Sequence, residues 1–543
     1  GDYYTKGADE HSEWGGRISS ELGLEGKVDP AVFEALLEGK VGDQILGRHR
    51  QDGRIEHHPG WDFAVNAPKS VSIVALVAGD ARIVAAHERA VGAALAYLEE
   101  HATLRRRDEG KIVHETTGRL IFARFTEHAS RELDPHLHTH VVVMNMTNRE
   151  DGAQMASLET RAMFAEQMTA GQVYRNDLAH SLRELGYPIE FDPRKGLFEI
   201  RGVPRELIET YSTRAAQIEE HAREHGLAGQ AARRISFYQT RGPKERASLA
   251  DLHGRWAAPL EPHRETMDEL TLAAAQAGER MIPVEVMTAA RAMLFGIRQS
   301  EGREAVNNLG QFLRAALASH VGEVRLADIR PLVEVHENRA KLLATREETG
   351  DIVHTRGRTT RRTARLELAL ADHLALALGD TVPIASRERL ERISAESGLN
   401  PAQEAALLHV GSTTDRVVGV HGVAGAGKST LVKALRDAAD PSATLVALAP
   451  TSSAAANLGA IAGIESRTVA SLVAGGGRGL GDGHVLVLDE AGQLGNRQAL
   501  RILEISRLTG ARLILLGDNR QTGAIVDSEG EAIDIVSIHS AKG

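Results

Sequence analysis

The chain has 543 residues, 42% of them hydrophobic and 25% charged, with a formal net charge of −10 at pH 7 and no cysteine. Single cores rarely grow past roughly 250–300 residues, so several domains are expected. Without cysteine there are no disulfides and no thiolate zinc sites, which suits the cytoplasm and leaves His, Asp and Glu to hold any metal; no apolar run is long enough for a membrane helix and no signal peptide is visible.

In chain order, residues 1–150 mix helical and strand-like runs. Ile83, Val84, Val91, Leu95 and Leu98 share one face at helical spacing, which predicts a helix over 81–98. Leu120 to Phe125 and Leu137 to Met146 read as strands, the second directly after the turn signal Asp134-Pro135. On that second strand His136, His138 and His140 lie two apart and share one face, while Leu137 and Thr139 take the other. Adjacent imidazoles on a valine-rich strand make half of a metal site; the plainer alternative is a histidine-rich sheet edge facing water. From about 155 to 235 the pattern turns mostly helical, with turn signals at Gly186-Tyr187-Pro188 and Gly202-Val203-Pro204. Together these segments predict an α+β domain, an antiparallel sheet with helices on one side. Helices dominate from 260 to 385, read here as a connecting module. With an acidic chain, DNA binding needs local basic patches. Arg105-Arg106-Arg107 and the series Arg356, Arg358, Arg361, Arg362, Arg365 are candidates, each readable equally as a solvated face.

From about 386 short apolar strands alternate with helices, which implies a parallel, doubly wound sheet. Arg416 to Val420 leads into Gly422-Val423-Ala424-Gly425-Ala426-Gly427-Lys428-Ser429-Thr430. This fits G-x-x-x-x-G-K-[ST] in its strand–loop–helix context: Gly422, Gly425 and Gly427 let backbone N–H groups turn toward phosphate, Lys428 reaches the β/γ-phosphates, and Ser429, followed by Thr430, ligates Mg²⁺. Val485 to Leu488 delivers Asp489 to that metal and Glu490 toward the attacking water. After the strand Leu513 to Leu516, Gln521 is placed to sense the γ-phosphate. Gln403 precedes the loop at a spacing suited to reading adenine, and Thr451 follows Ala449-Pro450 as a contact to single-strand backbone.

Residues 399–523 thus resemble the RecD-like branch of superfamily 1 helicases. The resemblance implies a RecA-like P-loop domain using ATP and Mg²⁺. Ile538 to Gly543 looks like a later helicase motif, arriving too soon after Gln521 for a second RecA-like domain to fit between. The expectation is therefore a domain that binds ATP, with unwinding by this chain doubtful.

The first half resembles the conjugative relaxases of MobF type. Four segments carry the likeness: Asp2-Tyr3-Tyr4 with Trp14 and Gly16; Asp62 to Ser72, containing Asn66-Ala67-Pro68-Lys69-Ser70; Ser130-Arg131 through His140; and Thr240-Arg241 with Trp256. The resemblance implies an HUH-type antiparallel sheet with helices. It also implies a metal-dependent endonuclease that nicks and rejoins one DNA strand at a plasmid's origin of transfer. The order relaxase then RecD-like motor is that family's own order. The implied domains are 1–258 (relaxase), 259–385 (helical connector) and 386–543 (RecA-like).

The chemistry explains the residue types. Cutting a strand so that it can be rejoined requires a covalent intermediate, since hydrolysis discards the bond energy. A tyrosine oxygen attacking phosphorus leaves a 5′-phosphotyrosine and a 3′-OH that later reverses the step. Its phenol has a pKa near 10 and needs a base or a cation nearby; a divalent ion on clustered imidazoles also offsets the phosphate charge.

By resemblance, His138 and His140 are metal ligands and Asp62 orients or activates the nucleophile. Lys69 and Arg131 contact DNA. The family's third histidine falls on Glu127, while the histidine here is His128, one place later. Since a one-residue shift on a strand changes face, either Glu127 is the ligand or a bulge turns His128 inward. The otherwise all-histidine motif favours His128, and Mg²⁺, Mn²⁺ and Zn²⁺ all stay open. Tyr3-Tyr4 resembles the later of the family's two tyrosine pairs, the earlier lying upstream of Gly1, so Tyr3 is the expected nucleophile with Tyr4 beside it. The expected partner is single-stranded origin DNA, with conjugation coupling and accessory proteins. The alternatives are a rolling-circle replication initiator and a DNA-binding P-loop ATPase without nicking activity.

Overall fold

The structure is a computed structural model that describes residues 11–49, 55–108, 110–149, 154–225, 247–301, 306–349, 352–423, 425–517 and 535–538. Tyr3, Tyr4, Thr240, Arg241 and Gln521 lie outside the described residues. The chain divides into two compact units, residues 1–297 with 310–334, and residues 298–309 with 335–543. No helix among the described residues is long and apolar enough to cross a membrane.

The first unit is built on a four-stranded antiparallel sheet. Its elements are β1 (Ser12–Gly15), β2 (Gly60–Asn66), α1 (Lys69–Leu76), α2 (Ala81–Glu99), β3 (Phe122–Ala129), β4 (Pro135–Met144) and α3 (Arg161–Glu184). The spatial order of the strands is β1-β3-β4-β2, so the histidine strand β4 is interior. Alternation along β4 decides what each face meets. Val142 and Met144 join Trp14, Ile18, Phe33 and Phe125 in a core on one side, where Phe33 meets Phe125 edge to face at 5.4 Å. Leu137, Val141 and Val143 are fully buried, and α1 packs against β4 while α2 packs along α3.

The helix α2 forms where its spacing predicts it. Asp80 caps it by accepting from the Arg82 backbone N–H at 3.1 Å, and Ile83, Ala86, Ala90, Val91, Ala94, Leu95 and Leu98 are buried. At the edge, the pairing of β2 with β4 requires glycine at 60. With φ +154, a Cβ there would stand 2.2 Å from the Val143 carbonyl oxygen.

Two regions read as helical also contain strands. Ile189–Asp192 pairs antiparallel with Leu197–Ile200, and Leu342–Thr349 with Ile352–Thr360. Both hairpins are rich in β-branched or aromatic residues, a period-two signal too short to stand out beside neighbouring helices.

The stretch expected as a connecting module does not form a body of its own. Residues 310–334 belong to the first unit because polar groups buried along α3 bind their backbone. Asn176 donates to the carbonyls of Leu317 (3.0 Å) and Val324 (2.8 Å), and Thr169 donates to that of Gly310 (3.2 Å).

The second unit is a six-stranded parallel sheet. Its spatial order is Glu465–Thr468, Thr444–Ala449, His484–Leu488, Arg512–Gly517, Val417–Gly422, Ile535–Ile538. Its strands read as continuous apolar runs because both faces are covered. Val418, Val420, Ala447, Val487 and Ile514 pack with Leu431, Val432 and Leu435 of the helix Lys428–Ala438. Val417, Val446, Leu448, Leu486 and Leu513 pack on the other side with Ile502, Leu503 and Ile505 of Asn496–Thr509.

Candidate metal centre and phosphate loop

Cross-strand register assembles the candidate metal site. His138 on β4 lies directly opposite Glu127 on β3, and His140 opposite Phe125. Residues directly opposite each other share a face, so Glu127, His138 and His140 converge, and one potential ligand atom from each lies within 4.8 Å of the others. Glu127 Oε2 stands 3.6 Å from His138 Nε2. The side chain that joins the two imidazoles in this cluster is therefore Glu127, and His128, which the motif favoured, does not join it. The register shift falls on β4, between Pro135 and His138, and β3 keeps its alternation through Glu127. His128 consequently points to the opposite face, where burial, with His11 and His253 nearby, lowers its pKa.

Both imidazoles have their tautomer set by a partner. His138 Nδ1 lies 2.9 Å from the carbonyl oxygen of His136, which only accepts, so Nδ1 carries the proton. His140 Nδ1 lies 3.0 Å from both carboxylate oxygens of Asp62. A carboxylate behind a histidine in this way orients the ring and raises its basicity as a ligand. Asp62 thus acts on His140. Two imidazole nitrogens and a carboxylate oxygen are a donor set that fits Mn²⁺, Zn²⁺ or a related divalent ion.

His136 stacks on His138 with ring centroids 4.5 Å apart, and burial, reinforced by His138 and Lys69, holds its pKa down at about 3. The three imidazoles therefore do form one row.

A second set of contacts, which sequence reasoning missed, holds the strand from behind. Thr139, between the two ligands, points to the opposite face and meets His87 Nε2 at 2.9 Å and Thr126 Oγ1 at 3.0 Å. His87 Nδ1 meets the Tyr174 hydroxyl at 2.7 Å. Burial, with His138 and His128 nearby, lowers the His87 pKa to about 3, so the ring is neutral. The only signal in the sequence was a lone histidine on the apolar stripe of α2.

The turn before the histidines is fastened as well. Leu133 adopts φ +61, a left-handed conformation uncommon outside glycine, and its carbonyl accepts from Trp256 Nε1 at 2.7 Å. Asp134 accepts from the backbone N–H and hydroxyl of Thr213, each at 3.0 Å. Lys69, expected to meet DNA phosphate, instead donates to the Pro135 carbonyl at 2.9 Å; burial lowers its pKa against the pull of Asp134 and Glu199. Arg131 lies in the same turn. Of the basic runs, Arg105 to Arg107 lie on the strand Thr103–Asp108, with Arg106 paired to Glu115 at 2.9 Å. Arg358 is paired with Glu337.

In the second unit the phosphate loop follows Val417–Gly422 and ends in the helix Lys428–Ala438. Gly425 and Gly427 have φ +79 and +78, the left-handed geometry that turns successive N–H groups inward. Lys428 Nζ donates to the Gly422 carbonyl at 2.8 Å, across the loop, and Ser429 and Thr430 open the helix. Asp489 and Glu490 follow the strand His484–Leu488, two positions from the loop strand in the sheet, so all these groups lie at the carboxyl ends of parallel strands. Glu490 has φ +53, and its N–H donates to Asp489 Oδ1.

Gln403, expected to read adenine, has its amide engaged elsewhere. Its Oε1 accepts from the Asn400 N–H at 3.0 Å in a capping box, and its Nε2 donates to the Ala426 carbonyl at 2.9 Å. Thr451 caps the helix Ser452–Ala462 and is exposed.

Known protein families resemble both parts of the chain. The TrwC relaxase family matches residues 1–263 and the AAA domain family residues 398–540. The multifunctional conjugation protein TraI of Escherichia coli is 34% identical over 266 residues, which cover 48% of this chain and 15% of that protein. The ATP-dependent RecD2 DNA helicase of Deinococcus radiodurans is 34% identical over 135 residues, covering 23% of this chain and 18% of that protein. A solved structure of the conjugative relaxase TrwC in complex with oriT DNA, in a metal-bound form, is 38% identical; it covers 48% of this chain and 93% of that one, with a TM-score of 0.45. This chain spans about 15% of the length of the TraI proteins it matches. The amino-terminal half of the chain belongs to the TrwC relaxase family, and an AAA domain follows it in the same polypeptide.

Proposed function

We propose that this protein nicks and rejoins single-stranded DNA at a plasmid's origin of transfer and couples that reaction to an ATP-driven helicase module. The observation that carries the reading is the convergence of Glu127, His138 and His140, with Asp62 behind His140. The oxygen of Tyr3, or of its neighbour Tyr4, attacks the scissile phosphorus. Asp62 takes the phenolic proton, the bond to the 3′ oxygen breaks, and that oxygen, protonated from Asp62 or from water, leaves as a hydroxyl while the 5′ phosphate stays on the tyrosine. Glu127, His138 and His140 would hold a divalent ion, Mg²⁺, Mn²⁺ or Zn²⁺, which would offset the negative charge of the scissile phosphate. His136 stays neutral against His138, Lys69 holds the turn that aims the row, and Arg131 in that turn contacts the DNA.

In the AAA domain, residues 422–429 cradle the phosphates of ATP, with Lys428 on the β/γ-phosphates and Ser429 and Asp489 on Mg²⁺. Glu490 polarises the attacking water, and Gln521 senses the γ-phosphate. Gln403 fixes the loop against the preceding helix, and Thr451 meets the DNA backbone. The DNA, together with conjugation coupling and accessory proteins, is the partner, and the cytoplasm is the place of action.

The test is incubation with a labelled origin oligonucleotide and Mn²⁺. A covalent protein–DNA band that disappears with Tyr3→Phe combined with Tyr4→Phe, and with His138→Ala, is the expected result. A band that survives both changes, or no band with any of the three ions, overturns the reading.

A further inference from the structure

We propose that Glu127 sets which ion this centre takes, shifting its preference toward oxygen-seeking ions of the Mn²⁺ class and away from Zn²⁺ relative to an all-imidazole site. The proposal rests on the reading of Glu127, His138 and His140 as a metal centre.

Its first support is position. The β3–β4 register places Glu127 directly opposite His138, and the two side chains are buried together, each residue only 7% exposed. The second support is convergence: one potential ligand atom from each of Glu127, His138 and His140 lies within 4.8 Å of the others.

The donor chemistry then separates the ions. A carboxylate oxygen is harder than an imidazole nitrogen and carries a full negative charge. Exchanging nitrogen for oxygen at one position of three therefore helps Mn²⁺ more than Zn²⁺, whose advantage rests on nitrogen and sulfur donors. The two remaining imidazoles keep the site from becoming an all-oxygen Mg²⁺ or Ca²⁺ site. Charge acts in the same direction. Glu127 and Asp62 together offset both charges of the ion, which leaves it a milder Lewis acid than the same ion on three neutral rings. Zn²⁺ still binds in absolute terms, so the preference is a ratio of affinities.

The experiment measures Mn²⁺ binding to the full chain by electron paramagnetic resonance without nucleotide, and Zn²⁺ by displacement of that Mn²⁺. Only binding lost on His138→Ala is counted, which removes ions held by the phosphate loop. Glu127→His is expected to raise the Zn²⁺-to-Mn²⁺ affinity ratio by on the order of tenfold, and Glu127→Gln to weaken Mn²⁺ by a similar factor. ATP binding and the circular dichroism spectrum report whether each variant is folded. An unmoved ratio in Glu127→His, or unmoved Mn²⁺ affinity in Glu127→Gln, overturns the role of Glu127 alone. If wild type holds neither ion in a His138-dependent way, the metal centre itself falls, and this proposal with it.

Discussion

The two sheets build their sites by opposite means. In the first unit the ligands are side chains in the middle of a sheet face, delivered by cross-strand register between β3 and β4. In the second the phosphate-facing groups come mainly from backbone in a glycine loop at the ends of parallel strands. An antiparallel face exposes whatever residues alternation puts there, so its chemistry changes with one substitution, as Glu127 illustrates. A loop of N–H groups keeps its chemistry as long as the dihedrals are allowed. The first site is written in side-chain identity and the second in backbone conformation.

The strongest way to break this contrast is to cross the two. His138→Ala should abolish both metal binding and the covalent DNA band while leaving ATP binding unchanged. Lys428→Ala should weaken ATP by on the order of a hundredfold with the metal centre intact. Calorimetry with each ligand on each variant checks this, and any cross-effect denies that the sites are separable.

A pH titration gives the next largest effect. His87 is held neutral in the folded unit, with its pKa lowered to about 3 from an ordinary 6.5. Its contribution is present above pH 6.5 and is lost as pH falls through that window toward 3, at about 1.4 kcal/mol per unit of separation. The melting temperature of the first unit should fall across this range, and His87→Gln should flatten the slope. An equal slope in the variant removes His87 from the account.

Asp62→Asn should then weaken the metal by about 10- to 100-fold, because His140 loses the carboxylate behind it. Unaltered affinity, measured by the same Mn²⁺ resonance, would mean that the ring is oriented without it. The smallest effect belongs to the backbone-built site. Gly427→Ala forces an L-residue to φ +78, at about 1–2 kcal/mol, and sets its Cβ 2.2 Å from Gln403 Nε2. A melting temperature lowered by a few degrees, with weaker ATP binding, is expected. A silent substitution would show that the loop tolerates side chains after all.

The same contrast governs how much could be read in advance. The glycine loop, Asp489 and Glu490 were legible because local order alone defines them, strand then loop then helix. The row His136, His138, His140 was legible because alternation along one strand is also local. The choice between Glu127 and His128 was not, since it depends on which strand of a pair takes the irregularity, and that is settled by partners far along the chain. Lys69 by resemblance, and Gln403 by spacing, looked like ligand contacts. Their engagement with the Pro135 and Ala426 carbonyls is tertiary information. His87 drew no reading at all, because what gives it a role is Thr139 and Tyr174, far along the chain, standing on either side of it. Residues 310–334 gave no sign of joining the first unit, because what draws them there is a row of polar groups on α3 more than a hundred residues earlier.

Trp256 sits far along the chain from the histidine strand, yet its indole N–H is bonded to the Leu133 carbonyl and its own carbonyl receives the Tyr211 hydroxyl. The last helix of the relaxase region therefore works as a clasp on the hairpin that aims the imidazoles. A shortened polypeptide ending before this tryptophan would keep every ligand and lose the latch that holds them in line. Where such a domain can be cut is decided by one indole, well beyond the last residue of the histidine row.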